Sequence, residues 1–349
     1  MKAYVITFCV WKSPGSMLQS LGLKRALQSL NCDSTLLQIG TPEEYRLSFP
    51  KNIRDAYYFP LRCFRHRQLQ SGYQNNTAFI REHFDVLTYP SYKALCASYP
   101  RDGIYIAGSD QIWNLQKADA PYFFMDFARN VKKISYAASM GKEDVPEEKQ
   151  ELLRAWLQSY DLLSVRENEA KTALAPFTDR QIHVHIDPTF LLRADEWRAY
   201  EKPYPVKGKY ILLYSIYWRK ELNRQLKQLE KQTGLPVIAV KPSPTMSYAS
   251  RTLYDVAPET FLWLIDHAEY VVTSSFHGAA FSAIFQKKFS AVINPERPSR
   301  LSHLLRLLAL PQVNIDRLPA CKDFDYTKTN ARIDAERDNA LQYLRDAIS

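Results

Sequence analysis

The chain has 349 residues, of which 46% are hydrophobic, and this length exceeds what one hydrophobic core usually sustains, so we expect two domains. The apolar runs are short and interrupted by charges, and the run after Lys2 is too short and too aromatic for a secretory signal, so neither a membrane span nor a signal peptide is expected. The formal net charge of +9 favours an anionic partner. Because the basic residues are dispersed and form no nucleic-acid motif, we expect a phosphorylated ligand or an anionic membrane surface, and no nucleic acid.

The five cysteines are scattered along the chain and contain no C-x-x-C pair. Such spacing is typical of reduced thiols in the cytoplasm rather than of disulfides or a zinc site.

The N-terminal half alternates predicted strands and helices. A strand at Tyr4–Phe8, a helix at Gly15–Ser29 and a strand at Leu36–Ile39 form the start of a βαβ unit with parallel strands. Residues 41–72 lose this periodicity and are rich in Pro, Tyr and Arg. We predict an irregular excursion over the surface there, in part helical, that acts as a lid or faces a membrane.

Four later strands of this half end in polar turns. The turns are Gly108–Asn114, Ala138–Gly141, Arg166–Asn168 and Asp187–Thr189. In open parallel sheets, ligands bind outside the carboxyl ends of the strands, so these turns are predicted to form one cleft wall.

A Pro- and charge-rich segment, Arg193–Gly208, is the predicted interdomain linker. Beyond it the alternation resumes, with strands at Lys209–Tyr214, Val237–Val240, Tyr270–Thr273 and Phe289–Ile293, and helices at Arg219–Thr233, Pro258–Ala268, Ser299–Leu308 and Asn330–Ile348. The predicted fold class is α/β, with two Rossmann-like domains facing across a cleft. We assign residues 1–200 to an N-terminal domain, 201–329 to a C-terminal domain, and 330–349 to a helix that packs back on the N-terminal domain.

The most informative segment is Tyr270–Phe285, in which a strand leads through small polar residues to His277 and a helix. Free backbone N–H groups and the helix dipole favour an anion at such a helix start, and an imidazole beside it can titrate near neutrality. The alternative is that Ser274 or Ser275 caps the helix and His277 only bonds a neighbouring loop.

Five motifs occur in the same order as in the polysaccharide pyruvyl transferase family, which this sequence resembles over most of its length. They are Gly108–Asn114, Ser135–Gly141, Ser164–Glu167, Ile186–Leu192 and Val272–Phe285. Gly15, Leu18 and Gln19 also resemble the family's N-terminal pattern.

The resemblance implies a fold similar to the two-domain glycosyltransferase B architecture and phosphoenolpyruvate as co-substrate, without a further cofactor. It implies transfer of pyruvate as a cyclic ketal onto two hydroxyls of a sugar, in a bacterial surface polysaccharide such as a capsule or exopolysaccharide, or in its lipid-linked precursor. The expected location is the cytoplasm, with peripheral contact at the inner face of the plasma membrane.

Ketal formation requires a general acid, a base for the hydroxyls and stabilisation of the phosphate charge. His277 is the candidate for the acid or for a phosphate clamp, as the matching histidine of the family implies. Arg166 is the best carboxylate or phosphate clamp, and the alternative is a salt bridge with Glu167 or Glu169. Asp110 is the candidate base, or else a turn-former bonded to its own backbone.

Further substrate-binding candidates lie around these groups. They are Ser274, Ser275, Gly278, Arg300, Gly15, Ser109, Gln111, Trp113 and Asn114. The Trp113 ring is either a sugar-stacking surface or a core residue, and Asp187, before Pro188, is interpreted as a structural turn. His183 and His185 lie on one side of a strand, but no third ligand is near in sequence, so we predict an ordinary packed or exposed pair and no metal site.

One departure bears on the donor, because many family members carry arginine where this chain has Ser275. Arg166, Arg300 or a lysine must then supply the missing cation. Two alternatives stay open: a nucleotide-sugar-dependent glycosyltransferase of the same fold, and a non-catalytic glycan-binding relative.

Overall fold

The computed structural model of the chain describes residues 1–9, 13–40, 53–141, 144–215, 220–240, 248–293, 299–310 and 325–349. Within these residues the strands are β1 (Lys2–Ile6), β2 (Asp33–Ile39), β3 (Asp85–Tyr89), β4 (Ile104–Ala107), β5 (Lys133–Ser135), β6 (Leu163–Val165), β7 (Ile182–Val184), β8 (Ile211–Tyr214), β9 (Val237–Val240), β10 (Arg251–Leu253), β11 (Tyr270–Thr273) and β12 (Phe289–Ala291).

The helices of the same residues are α1 (Pro14–Ser29), α2 (Ile53–Phe64), α3 (His66–His83), α4 (Tyr92–Ser98), α5 (Ala120–Phe123), α6 (Gln150–Gln158), α7 (Asn168–Leu174), α8 (Ala194–Arg198), α9 (Lys220–Thr233), α10 (Pro258–Asp266), α11 (Phe276–Ile284), α12 (Ser299–Leu307) and α13 (Thr327–Ile348). None of these described helices is long and apolar enough to cross a bilayer.

Two five-stranded parallel sheets organise the chain. The first has the order β3-β2-β1-β4-β5 and the second the order β10-β9-β8-β11-β12, so each sheet reverses its strand order beside its first strand. Parallel strands joined by helices bury both faces, and β1, β4, β8 and β11 are accordingly almost fully buried. The predicted α/β class with two Rossmann-like domains is confirmed.

The pair β6 and β7 extends the wall formed by the first sheet. Isolated parallel bridges join Ala138 to both Asp110 and Val165, beyond the ends of the regular strands. The polar turns after β4, β5 and β6 are therefore held side by side by backbone pairing.

The partly helical character predicted for residues 41–72 is confirmed, but the helical part is more extensive than an irregular excursion implies. Residues 41–52 lie outside the described part of the chain, but residues from Ile53 onward form α2 and α3. α3 reaches the second domain, where the Asn75 amide donates to the Asp255 carbonyl at 2.7 Å. A side chain at Gly72 would overlap the Tyr254 carbonyl, so this glycine permits the close approach of the helix.

The last helix, α13, packs against the residues of the N-terminal domain. The Tyr343 hydroxyl donates to the Ser135 carbonyl at 2.8 Å, and Arg337 Nε donates to the Phe190 carbonyl at 2.7 Å. Both bonds are buried, and Leu344 and Ala347 of the same helix are fully buried.

Candidate functional site

The His277 segment begins where β11 ends. Ser275 accepts a hydrogen bond from the Gly278 N–H at 3.5 Å and so caps α11, while its own N–H donates to the Thr273 hydroxyl at 3.0 Å. The Ser274 hydroxyl lies 3.0 Å from that of Ser215. The capping interpretation of this segment is confirmed for Ser275, and the cap directs His277 away from the strand it follows.

Arg166 and Asp187 form a buried ion pair at the strand ends of the N-terminal domain. Arg166 Nη1 donates to Asp187 Oδ2 at 2.7 Å, and the Ser109 hydroxyl donates to the same oxygen at 3.0 Å. The other Asp187 oxygen accepts from the Thr189 N–H at 3.0 Å and from its hydroxyl at 2.9 Å. Arg166 is 3% exposed and Asp187 1%, so each charge depends on the other for compensation.

A second carboxylate stands beside the pair. Glu167 lies 3.4 Å from Arg166 Nε and accepts a short hydrogen bond from the Ser139 hydroxyl. Hydrogen bonds thus connect residues from all four polar turns, and the prediction that these turns form one wall is confirmed.

The second domain closes on this wall through the first residues of α11. The Phe276 ring covers the Arg166 guanidinium, with the carbon Cζ 4.2 Å from the ring centroid, and His277 Nε2 lies 3.9 Å from Asp187 Oδ2. On the other side, Gly15 of α1 touches the imidazole so closely that a Cβ there would overlap it. His277 is therefore enclosed between the two domains.

Two buried nitrogens in this enclosure have no hydrogen-bond partner among the described residues. They are Arg166 Nη2 and His277 Nε2. Because buried polar groups are nearly always paired, donors of this kind without a partner are expected where a ligand binds.

The electrostatics of the enclosure are set by burial and by the ion pair. Burial lowers the pKa of His277 below its usual value, and Arg166 and Arg300 add to this effect, whereas Asp187 and Asp110 oppose it. Burial alone would raise the pKa of Asp187, but Arg166 and His277 hold it below its usual value. Burial raises the pKa of Glu167 despite Arg166 and Ser139. An added anion would favour protonation of His277.

The candidate base Asp110 sits at a strained backbone position with φ of 71°, and one carboxylate oxygen accepts from the Gln111 N–H at 2.8 Å. The turn interpretation is confirmed for that oxygen. The negative charge of Asp110 nonetheless acts on both His277 and Arg166 and favours the protonated form of each. The Gln111 amide oxygen, in the orientation that satisfies both groups, accepts from Arg300 Nε at 3.0 Å, which brings this arginine of α12 to the same wall.

Trp113 is the clearest correction among the predicted binding residues. Its side chain is 0% exposed and stacks on Phe124 with centroids 5.0 Å apart, so its ring belongs to the core and contacts no sugar. Asn114 accepts from the Gln116 N–H at 3.0 Å and shapes the following turn. Gly278 has no room for a Cβ beside Thr273, so its place in the motif is steric.

Sequence reasoning missed three contributors to the site: Asp187, interpreted as structural, Glu167, considered only as a salt-bridge partner of Arg166, and Phe276, for which no role was predicted. Asp187 ends a strand in the same way as the other polar turns, and that shared position is the signal that identifies it. Phe276 gives no such signal, because its contact with Arg166 exists only across the domain interface.

The predicted packed pair of histidines is confirmed, since His183 and His185 stack with centroids 5.8 Å apart and His185 Nδ1 bonds the Ser164 hydroxyl at 2.8 Å. Burial lowers the pKa of His185 to about 4.

Metal-ligand side chains cluster elsewhere in the described chain, as two groups: Glu82, His83 and Glu259, and Glu201, Asp266 and His267. In the first group Lys202 Nζ lies 2.9 Å from Glu259 and 3.2 Å from Glu82, and so compensates the carboxylates itself. Neither group includes a residue of the enclosure around His277.

Fold and site together define a two-domain α/β protein with a buried cluster of charged and titratable side chains between its domains. The chain belongs to the polysaccharide pyruvyl transferase family, a family of transferases acting on polysaccharides, whose model matches residues 14–295. No functionally curated protein matches the sequence.

Solved structures with the same fold have low sequence identity to the chain. A putative UDP-N-acetylglucosamine 2-epimerase from Listeria monocytogenes is 10% identical with a TM-score of 0.52, covering 100% of this chain and 90% of that one. UDP-GlcNAc 2-epimerase from Neisseria meningitidis, bound to UDP-GlcNAc, is 8% identical with a TM-score of 0.50, covering 99% of both chains. At such identities the likeness establishes the glycosyltransferase B type of fold and nothing about activity.

Proposed function

We propose that this protein transfers the pyruvyl group of phosphoenolpyruvate onto two hydroxyls of a sugar, forming a cyclic ketal. The observation that carries the proposal is the buried pair of partnerless nitrogens, Arg166 Nη2 and His277 Nε2, in an enclosure that both domains build. Membership of the pyruvyl transferase family supplies the reaction class.

Phosphoenolpyruvate presents a phosphate and a carboxylate, and the enclosure offers cations for both. Arg166 is already oriented by Asp187 and the Phe276 ring, so its free nitrogen binds one anionic group with little loss of side-chain freedom. His277 takes the other with the N-terminus of α11 behind it. Arg300, held at the wall by Gln111, supplies the cation that is absent at Ser275.

The anionic donor favours the protonated form of His277. In the first proposed step, His277 gives this proton to the methylene carbon of phosphoenolpyruvate. A sugar hydroxyl then attacks the neighbouring carbon, and Asp110 takes the hydroxyl proton through the carboxylate oxygen that does not bond the Gln111 N–H. Phosphate leaves, and the second hydroxyl closes the ring. Arg166 and Arg300 stabilise the charge that accumulates on the phosphate as its bond breaks.

The acceptor of this reaction is a sugar of a surface polysaccharide or of its lipid-linked precursor. We propose that the protein binds a lipid-linked acceptor at the cytoplasmic face of the plasma membrane, with which it associates peripherally. The net charge of +9 supports contact with an anionic surface.

The test is thermal stabilisation by phosphoenolpyruvate beside UDP, GDP and inorganic phosphate. A ligand at about 100 times its Kd adds roughly 2.7 kcal/mol to the free energy of unfolding. Selective stabilisation by phosphoenolpyruvate is the expected result, followed by phosphate release that requires both the donor and a sugar.

Stabilisation by a nucleotide alone would overturn the proposal in favour of a nucleotide-sugar-dependent glycosyltransferase. Binding of a glycan with no turnover of any donor would identify a non-catalytic relative.

A further inference from the structure

A second buried histidine lies on α12, the helix that carries Arg300. His303 is three residues beyond Arg300, so both side chains project from the same face of the helix toward the N-terminal domain. Arg300 meets Gln111 there, and His303 meets Glu169, near the start of α7.

The contact has the form of a carboxylate–imidazole pair. His303 Nδ1 lies 3.5 Å from Glu169 Oε2, while the other oxygen of Glu169 accepts from Arg306 at 2.7 Å. His303 is 8% exposed, and its second nitrogen, Nε2, has no hydrogen-bond partner among the described residues. The 3.5 Å separation is an ion-pair distance rather than a hydrogen bond. In the neutral tautomer that carries its proton on Nδ1, beside the carboxylate, Nε2 keeps a lone pair and can accept a proton.

The elements that carry His303 and Glu169 also contribute to the wall around His277, since Arg300, one helical turn before His303, contacts Gln111. Glu169 is two residues beyond Glu167, the partner of Arg166. The charged groups that act on His303 are Glu169 from α7, Arg306 from its own helix and Arg166 from the end of β6. Burial lowers the pKa of His303, Arg306 and Arg166 reinforce the effect, and Glu169 opposes it, and the net shift favours the neutral imidazole.

We propose that His303, oriented by Glu169, is a second general base of the cleft and removes the proton of one of the two acceptor hydroxyls. This inference rests on the proposed function, because two hydroxyls must lose protons when the ketal closes. Asp110 serves one of them, and His303 serves the other.

The protons balance in this scheme. One hydroxyl oxygen forms a bond to the central carbon of the donor while His277 gives a proton to the methylene, which becomes a methyl group. The carbon–oxygen bond to phosphate then breaks and its electron pair leaves with phosphate. The second oxygen bonds to the same carbon, and its proton passes to His303 Nε2 and from there to the departing phosphate. Of the two hydroxyl protons, one restores the proton that His277 gave to the methylene carbon. The other leaves on the phosphate, which departs as hydrogen phosphate.

The experiment compares His303→Gln, Glu169→Gln and Arg306→Gln in the full chain. Phosphate release from phosphoenolpyruvate is followed across pH with a panel of methyl glycosides of galactose, glucose, mannose and N-acetylglucosamine. We expect His303→Gln to lower kcat about 100-fold with an almost unchanged KM for phosphoenolpyruvate, and to remove the acidic limb of the kcat profile. Glu169→Gln moves that limb to lower pH, since the carboxylate that raises the pKa of His303 is gone. Arg306→Gln is the matched opposite change, because it removes a cation that lowers the pKa of His303, and we expect it to move the acidic limb to higher pH.

A second measurement is independent of the acceptor. The His303 imidazole signal is followed by NMR while phosphoenolpyruvate, or inorganic phosphate, is added to the parent protein. A signal that moves with the anion, together with the slow His303→Gln variant, supports the inference. A signal that responds to neither anion overturns it, and so does a His303→Gln variant with parental kcat and an intact acidic limb.

If none of the glycosides reacts, the imidazole signal decides alone. Failure of the proposed function appears separately, as a parent protein that phosphoenolpyruvate does not stabilise.

Discussion

The two sheets share one strand order, but their carboxyl ends carry different chemistry. The wall built by the N-terminal sheet and the β6–β7 pair holds charged side chains in fixed contacts, Arg166 with Asp187 and Glu167 with Ser139. The end of β11 in the C-terminal sheet holds small hydroxyl residues and one titratable group, His277.

This difference indicates a division of labour. Buried ion pairs hold a guanidinium in one orientation, which suits recognition of an anion, whereas a lone imidazole whose pKa is lowered by burial changes its charge when an anion arrives. Under the proposed function, the N-terminal wall would orient the donor and the C-terminal helix would supply the proton. Four experiments test this division, in order of decreasing expected effect on turnover.

The largest effect is expected from His277→Ala. Turnover should fall by about 1,000-fold or more, because the proton donor is lost, while the circular dichroism spectrum stays that of the parent. His267→Ala is the matched control, since His267 belongs to the same domain, has a half-exposed side chain and stacks on Trp263. Near-parental turnover of His277→Ala would remove this residue from the mechanism.

Arg166→Ala should act on donor binding and on stability together. It leaves Asp187 charged and buried without its cation, which costs about 3–5 kcal/mol of unfolding free energy. Calorimetry should show phosphoenolpyruvate affinity reduced by about 100-fold, at a temperature where the variant is folded. Arg129→Ala, which breaks an exposed pair with Asp126, is the control and should change neither quantity appreciably. Unchanged donor affinity in Arg166→Ala would make this arginine purely structural.

Gly15→Ala tests whether the position of His277 depends on the opposite domain. The added methyl overlaps the imidazole and must displace it or separate α1 from α11, so we expect turnover to fall by about 10-fold or more. Gly40→Ala is the comparison, because a methyl there meets nothing within 4 Å and the φ of 75° imposes only backbone strain. That variant should lose about 1 kcal/mol of stability and keep its turnover. Equal turnover in the two variants would contradict the role of Gly15.

The smallest effect on turnover is expected from His185→Gln, because His185 is a packed histidine outside the enclosure around His277. Burial lowers the pKa of His185 from 6.5 to about 4 in the folded protein. The unfolded chain therefore binds a proton that the folded chain does not as pH falls through this window, and stability declines with it. Urea titrations should show that the variant lacks about 2–3 kcal/mol of this acid-dependent loss, with parental turnover at pH 7. An identical acid loss in parent and variant would assign the sensitivity to other groups.

Much of the fold follows from local pattern. Val237–Val240 and Tyr270–Thr273 agree with the predicted strands, because short apolar runs that are rich in β-branched residues and bounded by turn residues usually form buried strands. The stretch with α2 and α3 was not predicted as regular helix, since Pro60 and the many aromatic residues obscure the helical period. Its order depends in part on α3 contacts with the second domain, such as Asn75 with Asp255, which no local pattern contains.

The candidate site, like the fold, could be predicted only in part from the sequence. His277 and Arg166 were identified by their position after strands and by the ordered motifs. Trp113 was misjudged because a large aromatic in a polar turn has the same local sequence whether it faces solvent or the core. The pairing of Asp187 with Arg166 and His277 depends on three separate elements, and His303 meets Glu169 only through the docking of α12.

The position of α13 has a consequence for synthesis of the chain. Residues Thr327–Ile348 are synthesised long after Ser135 and Phe190, yet Tyr343 and Arg337 of this helix bond to the carbonyls of those two residues. The surface of the N-terminal domain that α13 covers therefore stays exposed until the second domain has been translated. During that interval the carbonyls and apolar side chains under α13 are exposed, so the nascent chain is vulnerable to aggregation at this surface, and a stop codon before Thr327 would make that exposure permanent.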